Sequence, residues 1–221
     1  MKDGKRGRRT FLKETAAAAT AFAALTATSV GVLAEEKSSM ARKDILVNHE
    51  WGKLKEVVVG VPNVRLPSKL AEAPKRFLSE ASIDFIEKNA GKRLEDCAAE
   101  LNSKFVEQVN GIIKILKDRG VVVHQVEKLL PSEEAFLSEM NDAVMQTFPR
   151  DPMLVIGNHF IETAMFEPNR RRERFAIRRT VGDRLAASNA RVVSMPEPEP
   201  FPADKDGKYG PGPFLEGGDV L

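Results

Sequence analysis

Two short stretches hold the residues best suited to chemistry. "FPRDPMLVIGN", Phe148 to Asn158, sets Arg150 and Asp151 between Pro149 and Pro152 at the mouth of an apolar run. "FLEGGDVL", Phe214 to Leu221, sets Glu216 and Asp219 on either side of Gly217 and Gly218, again leading into apolar residues. A charged pair at a strand end is well placed to meet a ligand, because the strand fixes its position while the end stays accessible. Glycines at a corner admit torsions and close approaches that side chains forbid, so Glu216 and Asp219 are free to project toward one cavity. Acidic groups on two separate strand ends suit a planar cation, since a guanidinium presents a rigid fork of N–H donors that carboxylates match. Taken alone, Arg150 and Asp151 also read as a surface ion pair that ends a strand.

The elements that must position these acids follow from the apolar pattern. "DILVNHEWGKLKEVVVGVP" predicts a polar turn around Asn48 to Gly52 and then a buried strand at Val57 to Val59, bounded by Gly60 and Pro62. A loop with Pro67 and Pro74 follows, then a short helix in "FLSEASIDFIEKN". In "RLEDCAAELNSKFVEQVNGIIKILKDRG", Leu94, Leu101, Phe105, Val109, Ile112, Ile113 and Leu116 fall mainly at steps of three, four or seven and mark one apolar helix face. Gly120 stops that helix, and "VVVHQVE" after it reads as a strand, which makes an α/β unit. The order then recurs. "PMLVIGN" and "HFIETAM" pair as a hairpin, and the stretch Arg170 to Asn189 is helix-compatible with Phe175, Ile177, Val181, Leu185 and Ala186 facing inward. Most arginines of "RRRERFAIRR" read as a solvated helix face. "ARVVSM" is the next strand, and the Pro- and Gly-rich stretch from Pro196 to Pro213 a surface loop. Strand, hairpin, helix and strand thus appear about twice, with a third unit opening at Phe214, which is the pattern of a repeat architecture.

Composition bounds the partners. The formal net charge is +2 over 221 residues, but residues 1–34 carry six basic side chains against two acidic ones, so the remainder is mildly acidic. No basic face for nucleic acid emerges from it. A single cysteine, Cys97, excludes an internal disulfide framework and cannot by itself make a thiolate metal cluster. "GRRTFLK" ahead of an uncharged Ala/Thr-rich stretch ending "VLA" has the anatomy of an export signal. It resembles the twin-arginine signal. The expectation is a signal peptide over residues 1–34, a leader over 35–44, and a soluble product exported by the twin-arginine machinery to the periplasm or beyond the cell.

The motifs carry a family resemblance. "VNHEWGKLKEVVVG", "FPRDPMLVIGNHFIETAM" followed by "RRRERFAIRR", and "LEGGDVL" are similar in order and spacing to the amidinotransferases, within the guanidino-group-modifying (pentein) superfamily. The resemblance covers roughly residues 45–221. It implies a five-bladed α/β propeller of ββαβ modules around a substrate channel, with two modules and the start of a third in this chain. It also implies a cysteine thiolate that attacks the guanidinium carbon of an arginine-like substrate and forms a covalent amidino intermediate, with a histidine shuttling protons and without metal or organic cofactor. Under the resemblance, Asp151 binds the guanidinium, Glu216 orients the catalytic histidine, and Asp219 is a second acid assigned to substrate binding. Arg150 is then structural, paired with an acid near the channel.

The family's catalytic histidine and cysteine lie downstream of the Glu-Gly-Gly-Asp segment, where this sequence has neither. Cys97 reads as a packed thiol on the long helix. His124 reads as a core or edge histidine, His159 as a neighbour of Asp151 able to line the channel, and His49 as part of the leading turn. The expectation is therefore a truncated amidinotransferase-like chain that lacks catalysis alone and is marginal in stability. Alternatives are an arginine deiminase or dimethylarginine-type hydrolase, a non-catalytic guanidine-binding module, and a degenerate remnant. A homo-oligomer is compatible with all of them.

Overall fold

β-branched and alternating runs become short strands in the computed structural model, which describes residues 44–198 and 212–220. The expected signal over residues 1–34, most of the leader and the middle of the Pro-rich loop lie outside the described residues. Strand β1 (Glu56–Val59) pairs in parallel with β3 (Val122–Gln125), Val58 opposite His124. Neighbouring parallel strands require a long crossover, and helix Ala99–Asp118 supplies it. β2 (Val64–Arg65) and β4 (Val144–Met145) form a separate short antiparallel ladder.

The third sheet repeats the crossover. β5 (Met153–Ile156) and β6 (His159–Glu162) form the antiparallel hairpin that the sequence predicts. Its two-residue connection needs a positive φ, which Gly157 adopts at 57°. β7 (Arg191–Ser194) lies parallel to β6 after helix Glu173–Ala186. The fold is thus mixed α/β, with a strand, helix and parallel neighbouring strand occurring twice.

One apolar core joins the three sheets. Phe160 of β6 and Ala176, Ile177 and Val181 of helix Glu173–Ala186 pack with Val126, Leu129 and Val144, and half-buried Val58 and Val61 close the cluster. A buried amide seals its edge. The Gln146 side chain accepts from Leu129 N–H at 3.0 Å and from Asn63 Nδ2 at 2.5 Å, and donates to the Glu127 carbonyl at 2.9 Å.

Two predicted helices differ in detail. The long one is interrupted at Ala98, whose φ of −150° and ψ of 60° separate a short turn, Leu94–Cys97, from helix Ala99–Asp118. Of its predicted inward face, Leu94, Val109 and Ile113 are buried, whereas Leu101 is 56% and Ile112 54% exposed. The helix packs against β3 along a narrow strip, so only residues on that strip lose contact with water. The second helix starts at Glu173 rather than Arg170, after a turn at Pro168–Arg171. Ile177 and Val181 face inward as predicted, Ala176 is buried in place of Phe175, and Ala186 is exposed.

Candidate active site

The two acidic motifs meet. The 3-10 turn Gly217–Asp219 sits on the residues that lead into β5. Gly217 N–H donates to the Asp151 carbonyl at 2.8 Å, and Leu215 N–H donates to the Ala164 carbonyl at 2.9 Å. Thr163 Oγ1 donates to the same Asp151 carbonyl at 2.6 Å, which ties the corner to the end of β6. Arg150 reaches across with Nη2 to the Val220 carbonyl at 2.8 Å and to Glu50 Oε1 at 2.7 Å. That is the structural pairing expected for Arg150, and it anchors the Asn48–Gly52 turn beside the corner. In that turn His49 stacks on Trp51 with ring centroids 5.2 Å apart.

Space explains the paired glycines. A Cβ on Gly217 would enter the Arg150 carbonyl oxygen, well inside the 3.0 Å that real Cβ atoms essentially never enter. A Cβ on Gly218 would lie 2.7 Å from Asp151 Oδ1. The Glu-Gly-Gly-Asp turn is therefore pressed against Arg150 and Asp151 at a distance that only glycine allows.

Three carboxylates surround this corner in different states. Asp151 is half-buried, and its Oδ2 accepts from Arg170 Nη1 at 2.8 Å. Glu216 is half-buried, and its Oε1 accepts from Phe166 N–H at 3.3 Å. Asp219 is exposed. Behind Asp151, Arg170 is held by buried Glu173, with Nε 2.7 Å from Oε1 and Nη2 3.1 Å from Oε2. Burial pushes the Glu173 carboxyl up to about 7, against the opposing pull of Arg170. Burial also works against the charge on Arg170, but Glu173 and Asp151 more than offset it and hold the guanidinium firmly protonated.

The sequence reading missed what the arginines do. Instead of a solvated face, "RRRERFAIRR" supplies buried or paired guanidinium groups. Arg171 donates from Nε to the Met165 carbonyl at 2.9 Å, pairs with Glu197 at 3.3 Å and lies 5.4 Å from the Phe214 ring centroid. Arg172 is fully buried and donates to the carbonyls of Asn169 at 2.8 Å, Asn141 at 2.8 Å, Ala143 at 2.5 Å and Glu134. Burial, with Arg65 nearby, lowers its pKa to about 10. Arg178 grips buried Glu162 with both nitrogens, at 2.5 and 2.6 Å.

Of the histidines, His49 lies in the turn beside the corner, whereas His124 lies on β3 and His159 on β6. His159 pairs with Ile156 at the turn end of the hairpin, whereas Asp151 precedes the other end. That separation is about five residues, roughly 16 Å at strand spacing, so His159 does not neighbour Asp151 as the sequence suggested. His124 Nε2 lies 2.7 Å from Glu56 Oε1, which also accepts from Arg184 Nε at 2.7 Å. Cys97 ends the short turn Leu94–Cys97 and is half-buried. Among the described residues no group of three or more His, Cys, Asp and Glu has metal-site geometry, and no helix is long and apolar enough to cross a membrane.

No family model matches the chain. Over 119 residues it is 31% identical to the mitochondrial glycine amidinotransferase of Xenopus laevis, a match that takes in 53% of this chain and 27% of that protein. The Xenopus tropicalis counterpart matches over the same length and identity. Among solved structures, SxtG, an amidinotransferase from Microseira wollei in the saxitoxin biosynthetic pathway, superposes with a TM-score of 0.60 at 22% identity, covering 79% of this chain and 53% of that one. The inosamine-phosphate amidinotransferase StrB1 from Streptomyces griseus superposes with a TM-score of 0.52 at 22% identity, covering 71% and 44%. The match thus spans about a quarter of the curated relatives' own length and about half of the solved structures'.

Proposed function

We propose that this chain, which is 31% identical over 119 residues to a glycine amidinotransferase, forms the guanidinium-binding side of an amidino-transfer site. Asp151 and Asp219 take the guanidinium of an arginine-like donor, and Glu216 is the acid that orients a general-base histidine. The observation that carries this reading is the seating of the Gly217–Asp219 turn directly on Arg150 and Asp151, which gathers acids from distant parts of the sequence at one corner. A guanidinium is the ligand such a corner suits, because it is planar, permanently charged and able to donate to two carboxylates at once. The two units of strand, helix and parallel strand are read as two ββαβ blades of a five-bladed propeller, with the third opening at Phe214.

In the chemistry implied by the resemblance, a thiolate forms an S–C bond to the guanidinium carbon. The C–N bond to the donor breaks, and the departing amine takes a proton from histidine. An acceptor amine then forms the new C–N bond and the thiolate leaves. The only cysteine in this sequence is Cys97, on the turn beside the long helix; His124 pairs with Glu56, His159 sits at the far end of the hairpin from Asp151, and His49 stacks on Trp51 in the turn beside the corner. Binding without transfer is therefore the activity proposed for this chain alone. Export by the twin-arginine route belongs to the same proposal.

Calorimetric titration with L-arginine tests it, alongside incubation with guanidino-labelled L-arginine and glycine. Saturable binding that weakens about ten- to hundredfold in Asp151→Asn, with no labelled product, is the expected result. Equal binding by wild type and Asp151→Asn, or no binding by the wild type, overturns the reading. Labelled product from the purified chain overturns the claim of binding without transfer.

A further inference from the structure

We propose that Arg170 is the positioning residue for Asp151: backed by Glu173, it fixes the Asp151 carboxylate so that an incoming guanidinium meets Oδ1 alone. The inference rests on the reading of Asp151 as a guanidinium ligand. It begins with what each polar atom already does. The Asp151 carbonyl accepts from Gly217 N–H at 2.8 Å and from Thr163 Oγ1 at 2.6 Å, which fixes the backbone. Oδ2 accepts from Arg170 Nη1 at 2.8 Å, which fixes the carboxylate's rotation. Oδ1 lies against Gly218, where a Cβ would stand 2.7 Å away, and takes no part in the Arg170 pair.

Arg170 is itself immobilised. Nε and Nη2 donate to the two oxygens of Glu173 at 2.7 and 3.1 Å, and Nη2 also donates to the Phe148 carbonyl at 3.2 Å. Glu173 is 4% and Arg170 13% exposed, so the fork has no free swing and is spent on internal partners. An arginine so committed is not poised to grip a ligand. It is poised to hold another side chain still. A carboxylate held by one oxygen contributes a single, directional hydrogen bond from the other, and its orientation cost is met on folding rather than on binding. Lysine at this position is a poor replacement, because a point charge cannot span Asp151 and Glu173 with the geometry of a planar fork.

A double-mutant cycle in the full chain tests this, read by calorimetry with L-arginine as the probe and by thermal melting as the fold control. Arg170→Gln should weaken L-arginine about tenfold while the chain still melts cooperatively, and Arg170→Lys should recover only part of that loss. In an Asp151→Asn background, where the positioned oxygen pair is gone, Arg170→Gln should add no further loss; a purely structural role gives the same loss in both backgrounds. If Arg170→Gln does not fold, Glu173→Gln replaces it. That variant slackens the grip on Arg170 and should weaken L-arginine about threefold, again only when Asp151 is present. Wild-type affinity in both Arg170→Gln and Glu173→Gln, or additive losses, overturns the positioning role. In that case a loss of binding in Asp151→Asn leaves the guanidinium reading standing. A wild-type chain that binds no L-arginine overturns both.

Discussion

Replacing Gly217 with alanine isolates the contact that assembles the candidate site. The new Cβ enters the Arg150 carbonyl oxygen and also lies 3.2 Å from the Met153 carbonyl. Both neighbours are backbone at the start of β5, so neither yields by a simple side-chain rotation. The turn must lift, and the hydrogen bond from Gly217 N–H to the Asp151 carbonyl, 2.8 Å in the native chain, lengthens or breaks. Overpacking costs about 1–3 kcal/mol and a lost hydrogen bond about 1 kcal/mol more, so a destabilisation of roughly 2–4 kcal/mol is expected. Two companion variants separate strain from mere change of composition. Gly218→Ala meets only the Asp151 carboxylate and relieves the clash by turning it against the hold of Arg170, so it should cost about 1 kcal/mol of stability and disturb L-arginine binding. Gly111→Ala, within helix Ala99–Asp118 and with open space around its Cβ, should stabilise by about 0.5–1 kcal/mol. Urea unfolding followed by circular dichroism measures all three. Gly217→Ala with wild-type stability would refute the close seating of the turn on Arg150 and Asp151.

Other consequences follow from the buried charges. Arg172→Met strips the Asn169, Asn141, Ala143 and Glu134 carbonyls of their shared donor; a loss of about 3–5 kcal/mol is expected by chemical denaturation, and a change below about 1 kcal/mol would show those carbonyls easily resolvated. The hydrogen bond from Arg184 lowers the Glu56 pKa, burial opposes it, and His124 adds to the lowering. Its stabilisation is therefore whole at neutral pH and drains away as pH falls below the ordinary 4.5 and through the depressed folded value. The stability difference between wild type and Glu56→Gln should be present at about pH 6 and shrink steadily as pH falls below 4.5; a pH-independent difference would exclude the ion pair as its source. Glu173 carries the opposite sign. Its folded pKa is raised to about 7, so its contribution is full below 4.5 and is lost as pH rises through 7. Carbon-detected NMR should find a Glu173 midpoint near 7 that climbs in Arg170→Gln, and a midpoint below 4.5 would mean that Arg170 outweighs burial.

How much of this was legible in the sequence depended on whether a residue's partners were local. The β5–β6 hairpin was readable because two apolar runs flank Gly157 and Asn158, and the turn's demand on φ is met within the loop itself. The acids of "PRDP" and "LEGGD" were readable as a pair because carboxylates beside strand ends are chemically conspicuous. Arg172 was not readable, because its burial depends on carbonyls supplied by Glu134, Asn141 and Ala143, which lie on a different segment that the apolar pattern leaves unplaced. Arg170 was missed for the same reason: its role appears only when Asp151 and Glu173 are brought to either side of it. His159 was misplaced because proximity in sequence to Asp151 becomes separation across a hairpin. Leu101 and Ile112 fit a helical stripe, yet a stripe reports what can be buried and not the width of the surface that covers it.

The most direct test of the central claim is a crystal structure of this chain soaked with L-arginine. The guanidinium should lie within hydrogen-bond distance of Asp151 Oδ1, with Glu216 and Asp219 at the same corner and the Arg170–Asp151 pair intact. A guanidinium bound elsewhere, or one that displaces Arg170 from Asp151, would contradict the account.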